Sequence, residues 1–494
     1  MRRLEYKWLV GITFVLGLIM QILDMTVLNV ALATLGREFH VGEGTLQWVL
    51  TGYMISLAVF VPSSGWIADR FGSKRTFELA IVLFTLASVL CGLSTEMWML
   101  IGARILQGVG GGMLVPVGQA MLFRAFPAHE RAKASAVLSI PITVAPALGP
   151  LLGGVLVQYA SWRWIFFINV PVGAVALLFT VLFLKEEQRD RPGRFDLPGF
   201  VLAGAGLATL LVSLDQGAQL GWGRPSAWGV LLAAVLLICG LVVRELRTPE
   251  PMLDLRLLGD RLFGTGNALL ICSTGAIFGT LFLLPLFLQN LRGYTPFESG
   301  LVLMPQALTM LIATQVVSRI YGRVGPRRLL LIGFCMIISV GGALQLLGTT
   351  TPVWFLVALL MWLGLGMGLL MTPLQTAAFA RITGPAMGHA SSLFNASRQV
   401  ATALGTAVCA TLFVTLSTAF ASTVDMTAAG AAEQVQMAAY RGAFLASIGF
   451  GVAGLLLSLR VRDSDAAATL DQVRKPGPQD GKHGGDRTDT TTVR

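Results

Sequence analysis

One carboxylate stands where hydrocarbon is expected. In the stretch QILDMTVLNVAL, residues 21–32, Asp24 is the one ionisable residue of an apolar run that extends from Trp8 to about Leu32. Placing a charged side chain that deep in a membrane costs about 2.5–3.5 kcal/mol. A cation, a bound proton or a water-filled cavity must offset that cost. The other 25 acidic residues fall in loops, at run ends or in the C-terminal tail. Glu78 enters its run only slightly and stands four residues from Lys74, the spacing of a helical ion pair.

Arg104 is the natural partner for Asp24. At 1.5 Å per helical residue, both lie roughly 10–12 Å below the same membrane surface, in the first and fourth apolar runs. Equal depth permits contact. A neighbouring guanidinium favours the ionised carboxylate and desolvation favours the protonated one, so the pair suits proton exchange: Asp24 carries the proton and Arg104 tunes it. A fixed ion pair that merely joins two helices is the competing reading. Gln107, one turn beyond Arg104, is a candidate polar group of a cavity wall.

A second deep cation has no carboxylate at its depth. The segment FNASRQ places Asn395, Arg398 and Gln399 on one helical face by their i, i+3, i+4 spacing. Two readings of Arg398 stand side by side. It lines a cavity, or it snorkels and bonds backbone carbonyls.

Two further stretches could move rather than bind. In GWIADRFGSKR (65–75), Gly65, Asp69 and Gly72 suit a tight crossing. Asp69 could cap a neighbouring helix N-terminus, and Arg70, Lys74 and Arg75 could pair across to another part of the chain. That makes the segment a candidate gate at the cytoplasmic surface. In GPLLGG (149–154), Pro150 removes a helical hydrogen bond, and Gly149, Gly153 and Gly154 allow close helix approach. This is a candidate hinge.

The elements that position these residues follow from composition. The chain is 54% hydrophobic and 13% charged, with mean hydropathy +0.72; a soluble domain carries about 25% charged residues. We count fourteen apolar runs, at about 8–32, 46–66, 77–95, 98–124, 134–157, 164–184, 198–216, 226–244, 262–289, 299–320, 328–347, 352–374, 389–413 and 441–460. Runs of this length span a bilayer as helices, because only a helix satisfies its own backbone in lipid. With the N-terminus placed inside, 29 Lys and Arg residues fall on the cytoplasmic side, 5 outside and 2 (Arg104 and Arg398) within runs. That bias expects both termini in the cytoplasm. It also explains the net charge of +10 without any nucleic acid partner.

The sequence repeats itself. RFGSKR (70–75) matches RVGPRR (323–328), GVGGGML (108–114) matches GLGMGLL (364–370), and APALG (145–149) matches ATALG (401–405), the last two both at an offset of 256. The expected architecture is an all-α membrane protein of two pseudo-symmetric six-helix bundles, residues 1–185 and 262–460, with a two-helix insert at 198–245. Residues 461–494 read as a disordered cytoplasmic tail. Enzymatic classes are disfavoured: the one Gly-Lys pair, at 481–482, is followed by His483 rather than Ser or Thr, and no H-E-x-x-H occurs. The five cysteines show no metal or disulfide spacing and read as buried small apolar residues.

Taken in order, LDMTVLNVAL, GWIADRFGSKR, RILQGVGGGM, APALGPLLGG, WRWIFFINVPVG and RFDLPG resemble motifs of the major facilitator superfamily, and within it the fourteen-helix drug:H+ antiporters of the EmrB/QacA type. The resemblance covers residues 1 to about 460. It implies export of hydrophobic, often cationic, compounds across the cell membrane, driven by the proton gradient with no other cofactor, through alternating access by a functional monomer. The helix 4 motif of that family ties its Arg, here Arg104, to proton transfer. An exporter of an endogenous metabolite, antibiotic or lipid by the same mechanism is the alternative. The tenth run has no internal carboxylate, so the second half offers no obvious second site for a dication.

Overall fold

The computed structural model describes residues 5–186, 194–220, 225–348, 350–382, 384, 386–422 and 430–470. Among these residues the chain is helical throughout, with no strand. The first half contains α1 (Tyr6–Phe39), α2 (Glu43–Phe60), α3 (Ser64–Phe71), α4 (Ser73–Gly92), α5 (Met97–Ala125), α6 (Arg131–Tyr159), α7 (Trp164–Phe167) and α8 (Asn169–Phe183). The insert is α9 (Leu197–Leu220) and α10 (Pro225–Arg247). The second half contains α11 (Arg261–Asn290), α12 (Pro296–Val324), α13 (Pro326–Leu344), α14 (Val353–Ala378), α15 (Met387–Ala421) and α16 (Ala431–Ser458).

Twelve spans among the described residues are long and apolar enough to cross a membrane, and the bent pair α2–α3 makes a thirteenth. The remaining run of the sequence is α6, an uninterrupted 29-residue helix. The second run therefore differs from expectation. It breaks after Phe60 and bends by 56° into α3, so much of what reads as a connecting loop in GWIADRFGSKR is helix. One residue, Gly72, reverses the chain into α4 at φ +95°, a conformation that glycine adopts without steric penalty.

The glycines of the repeated motifs explain why two halves of different sequence pack alike. A Cβ at Gly112 of α5 would lie 2.8 Å from the Leu57 carbonyl oxygen of α2, and one at Gly110 would lie 2.8 Å from the Ala80 carbonyl oxygen of α4. At the matching offset, Gly368 of α14 would meet the Thr314 nitrogen of α12 at 3.0 Å, and Gly366 would meet Met336 of α13 at 3.1 Å. Only a residue without a Cβ lets these backbones approach so closely. The insert sits beside this frame, α9 packing on both α2 and α15.

The tail expectation needs correction. Residues 463–469 form a 3₁₀ helix docked on the second bundle. Asp463 Oδ1 accepts the Arg327 backbone N–H at the start of α13 (3.0 Å), Thr469 bonds the Tyr321 hydroxyl (3.0 Å), and Arg381 pairs with Asp465 (2.8 Å). Val461, Ala466 and Thr469 are buried. Composition hides this, because polar side chains satisfying exposed helix ends, rather than an apolar run, hold the segment. The remainder of the expected tail, 471–494, lies outside the described residues. The cysteines also divide: Cys91, Cys272 and Cys409 are buried, whereas Cys239 and Cys335 are exposed on the outer surface.

Candidate functional site

Asp24 and Arg104 meet inside the first bundle. The Arg104 Nη1 donates to Asp24 Oδ2 at 2.5 Å, and both side chains are sealed from solvent. Gln107 and Asn169 each donate an amide N–H to Asp24 Oδ1 at 2.9 Å. Arg104 also donates to the Gln107 side-chain oxygen (2.6 Å) and to the Val49 carbonyl (3.3 Å). Its guanidinium lies 4.4 Å from the Tyr53 ring centroid, a cation–π distance. A second shell of bonds holds Asn169 in place: its amide also donates to Ser88 Oγ (2.9 Å), and Ser88 in turn donates to the Phe166 carbonyl (2.9 Å).

Five segments thus converge on one carboxylate: α1, α2, α4, α5 and the start of α8. Asp24 accepts three hydrogen bonds, two from amides and one from a guanidinium. Arg104 Nη2 has no partner among the described residues, so the guanidinium retains an unused donor. In this conformation the cluster is closed to water and is separate from the surface between bundles. Gln107 belongs to it, rather than to a cavity wall as its position in sequence suggests. Asn169 has no counterpart in the sequence reading. It lies in WRWIFFINVPVG, and its only local signal is a lone amide in an apolar run.

The second assembly closes the two bundles on each other at the end that carries both described termini. Gly65 of α3 abuts the backbone of Gly388 of α15: a Cβ there would lie 3.0 Å from the Gly388 carbonyl carbon. Ser64 and Ser392 share a hydrogen bond of 2.8 Å. Asp69 lies against Arg124 (3.6 Å) and His389 (3.4 Å), beside the positive end of the α15 dipole. Deeper in, Asn395 donates to Gln119 at 2.6 Å, Ser391 donates to the Pro116 carbonyl at 2.8 Å, and Ser135 bonds Thr376 at 3.0 Å. Phe123 stacks on Phe379 with centroids 4.9 Å apart. Arg131 donates to the Phe379 carbonyl and, at 3.4 Å, to that of Ile382.

The loop cations do not make these crossings. Lys74 bonds the Val181 carbonyl (3.0 Å) and faces Glu78 (3.8 Å), Arg75 faces Glu186 (3.6 Å), and all of these partners lie in the first half. Arg70 is exposed and Gly72 sits against Glu186. The crossing cations are instead Arg124 and Arg131, at the end of α5 and the start of α6. Charge bias alone cannot single them out, since every basic loop residue satisfies it equally.

Of the hinge residues, Gly149 packs directly on Thr26 of α1, Gly153 is buried, and Gly154 has open space at its Cβ position. Helix α6 runs unbroken through Pro150. Arg398 is half-buried and donates to the Asn395 side-chain oxygen at 2.5 Å. Gln399 is also half-buried. Asn395, bonded to Gln119, places a polar group at the bundle interface, and Arg398 lies beside it.

A helical membrane frame of two repeated halves, with a buried Asp–Arg pair inside the first, is the architecture of a membrane transporter. The sequence profile of the Major Facilitator Superfamily matches residues 14–406, and the chain belongs to that family. It is 35% identical over 395 residues to the multidrug resistance protein Stp of Mycobacterium tuberculosis, covering 80% of this chain and 73% of that one. It is 32% identical over 395 residues to the putative multidrug resistance protein MdtD of Pectobacterium carotovorum, covering 79% and 84%. Among solved structures, the human organic anion transporter MFSD10 superposes with a TM-score of 0.64 at 16% identity, over 92% of this chain and 99% of that one. The proton:xylose symporter XylE superposes at 0.59, also at 16% identity, over 92% and 94%. These neighbours share the fold. The chain is a multi-pass membrane transporter, not an enzyme.

Proposed function

We propose that this transporter is a proton-coupled antiporter that exports hydrophobic compounds across the cell membrane, with both termini in the cytoplasm. The observation that carries the reading is the sealed Asp24–Arg104 pair. An ion pair in a low-dielectric bundle is a two-state element: protonating Asp24 removes the attraction that holds Arg104, and the freed guanidinium must find other acceptors. Val49, Tyr53 and Gln107 surround it with such groups. That repacking, at the junction of α1, α2, α5 and α8, would bias one packing of the bundles over the other.

In the cycle we infer, the structure corresponds to the state closed towards the cytoplasm, with Asp24 ionised. When the sealed cluster opens to the outside, a proton neutralises Asp24, the bundles rock, and the proton leaves inward while cargo binds. The names of the relatives support drug export, and the bias of basic residues supports the orientation. The test is dye efflux in inverted vesicles under an imposed pH gradient, comparing wild type with Asp24→Asn. Gradient-driven transport that vanishes in the variant is expected. Wild-type transport indifferent to the gradient, or an undiminished variant, overturns the reading.

A further inference from the structure

The contacts of His389 fix its protonation. Its Nδ1 lies 3.0 Å from the carbonyl oxygen of Met252, and its Nε2 lies 3.4 Å from Asp69 Oδ2. A backbone carbonyl and an ionised carboxylate are acceptors only. Either neutral tautomer would therefore aim a nitrogen lone pair at an oxygen lone pair. Only the imidazolium, with a proton on both nitrogens, satisfies both partners.

The surroundings reinforce this. Asp254 also bears electrostatically on the ring. The cation on the far side of Asp69 is Arg124. Glu245 of α10 is fully buried, and its Oε2 accepts the Leu253 backbone N–H at 3.3 Å. That bond holds the segment after the insert so that the Met252 carbonyl points at His389. Asp196, beside Glu245, is neutralised by Arg244 at 2.6 Å. The Met252 carbonyl thus ties the segment after the insert to the gate histidine.

We propose that His389 is a proton-binding site of the transport cycle, distinct from Asp24, which is charged when the bundles close at this end and gives up its proton on this side when they part. Parting separates α15 from α3, which removes Asp69 from Nε2. The imidazolium then loses one of the two partners that require its second proton. Closure at this end is accordingly favoured at low pH on this side and weakened as that pH rises. The inference rests on the alternating-access reading above, and it gives the two-helix insert a task, namely orienting the histidine.

The experiment reads the gate directly, with neither cargo nor gradient, so failure of the efflux test does not decide it. Ser392→Cys, buried at the closed gate, is alkylated with a maleimide in inverted vesicles from pH 5.5 to pH 9 and quantified by peptide mass spectrometry. The rate is divided by that of the exposed Arg247→Cys, which removes the intrinsic pH dependence of the thiol. One linked proton allows the ratio to rise by up to about tenfold per pH unit across the histidine range. Adding His389→Gln is expected to flatten the ratio. Adding Asp69→Asn is expected to move the rise to lower pH, because the neutral amide no longer demands the second ring proton. A flat wild-type ratio, or a wild-type slope surviving in His389→Gln, overturns the proposal. If His389→Gln does not reach the membrane, an unmoved Asp69→Asn profile does so equally.

Discussion

The hydroxyls of Ser64 and Ser392, 328 positions apart in the chain, share a 2.8 Å hydrogen bond across the two bundles. Both are buried, and both sit beside glycines, Gly65 and Gly388, that bring their helices into backbone contact. If the bundles must part here for transport, a covalent bond at this point stops the cycle. In Ser64→Cys/Ser392→Cys, oxidation is expected to abolish efflux and reductant to restore it. Full activity of a quantitatively cross-linked protein contradicts the gate assignment.

Gly65 offers a gentler perturbation. A methyl group there would meet the Gly388 backbone at 3.0 Å, tighter than ordinary van der Waals contact, so one helix must give way. Gly65→Ala is expected to loosen closure by about 1–3 kcal/mol, raising alkylation of Ser392→Cys at neutral pH. An unchanged labelling rate would show that the helices yield without strain.

The Asp24–Arg104 pair separates stability from function. Removing one partner leaves an uncompensated buried charge, at a cost of about 3–5 kcal/mol, whereas replacing both by apolar groups is often neutral. Arg104→Met alone is expected to lower the unfolding temperature in detergent sharply. Asp24→Leu/Arg104→Met should recover most of that loss while remaining inactive in efflux. A double variant that transports would exclude the pair from coupling.

Asn169 is the residue that sequence reasoning overlooks, and it makes a graded prediction. Asn169→Leu withdraws one donor from Asp24 and one from Ser88, which costs about 1–3 kcal/mol for buried groups left unsatisfied. With Asp24 one donor short, the rate of efflux should fall, though less than in Asp24→Asn. A variant with wild-type efflux would reduce Asn169 to packing.

One surface cluster gives a pH prediction with a definite sign. Glu130 accepts from Lys7 (2.6 Å) and Lys133 (2.9 Å), and these bonds hold its carboxyl below its ordinary value near 4.5. A carboxylate depressed in the folded state stabilises fully above its ordinary value, and the contribution disappears as pH falls through the depressed one. Wild type should therefore exceed Glu130→Gln in thermal stability at neutral pH, and the two should converge below about pH 4. Parallel curves at all pH values would remove Glu130 from the interaction of α1 with the start of α6.

The sequence makes some of this legible for a physical reason. Depth along a membrane helix can be counted in residues, so Asp24 and Arg104 could be matched before any coordinates. The repeated glycines of 108–114 and 364–370 mark close helix contacts, and the second half repeats them because it repeats the packing. What could not be read depends on rotation and distance between helices. Asn169 reaches Asp24 from the first turn of α8, across two helices whose facing the sequence does not give. Arg124 and Arg131 differ from other loop cations only in what lies opposite them. His389 is an ordinary residue until Met252 and Asp69 are seen on either side.

The cap on α13 has a bearing on how the chain is made. Asp463 accepts the N–H of a residue that precedes it by 136 positions, so the opening turn of the eleventh span stays incomplete until nearly all of the protein has left the ribosome. Biogenesis of the second half is then finished from its far end. An affinity tag or truncation placed ahead of Thr469 would strike a helix start deep in the middle of the polypeptide rather than a dispensable extremity.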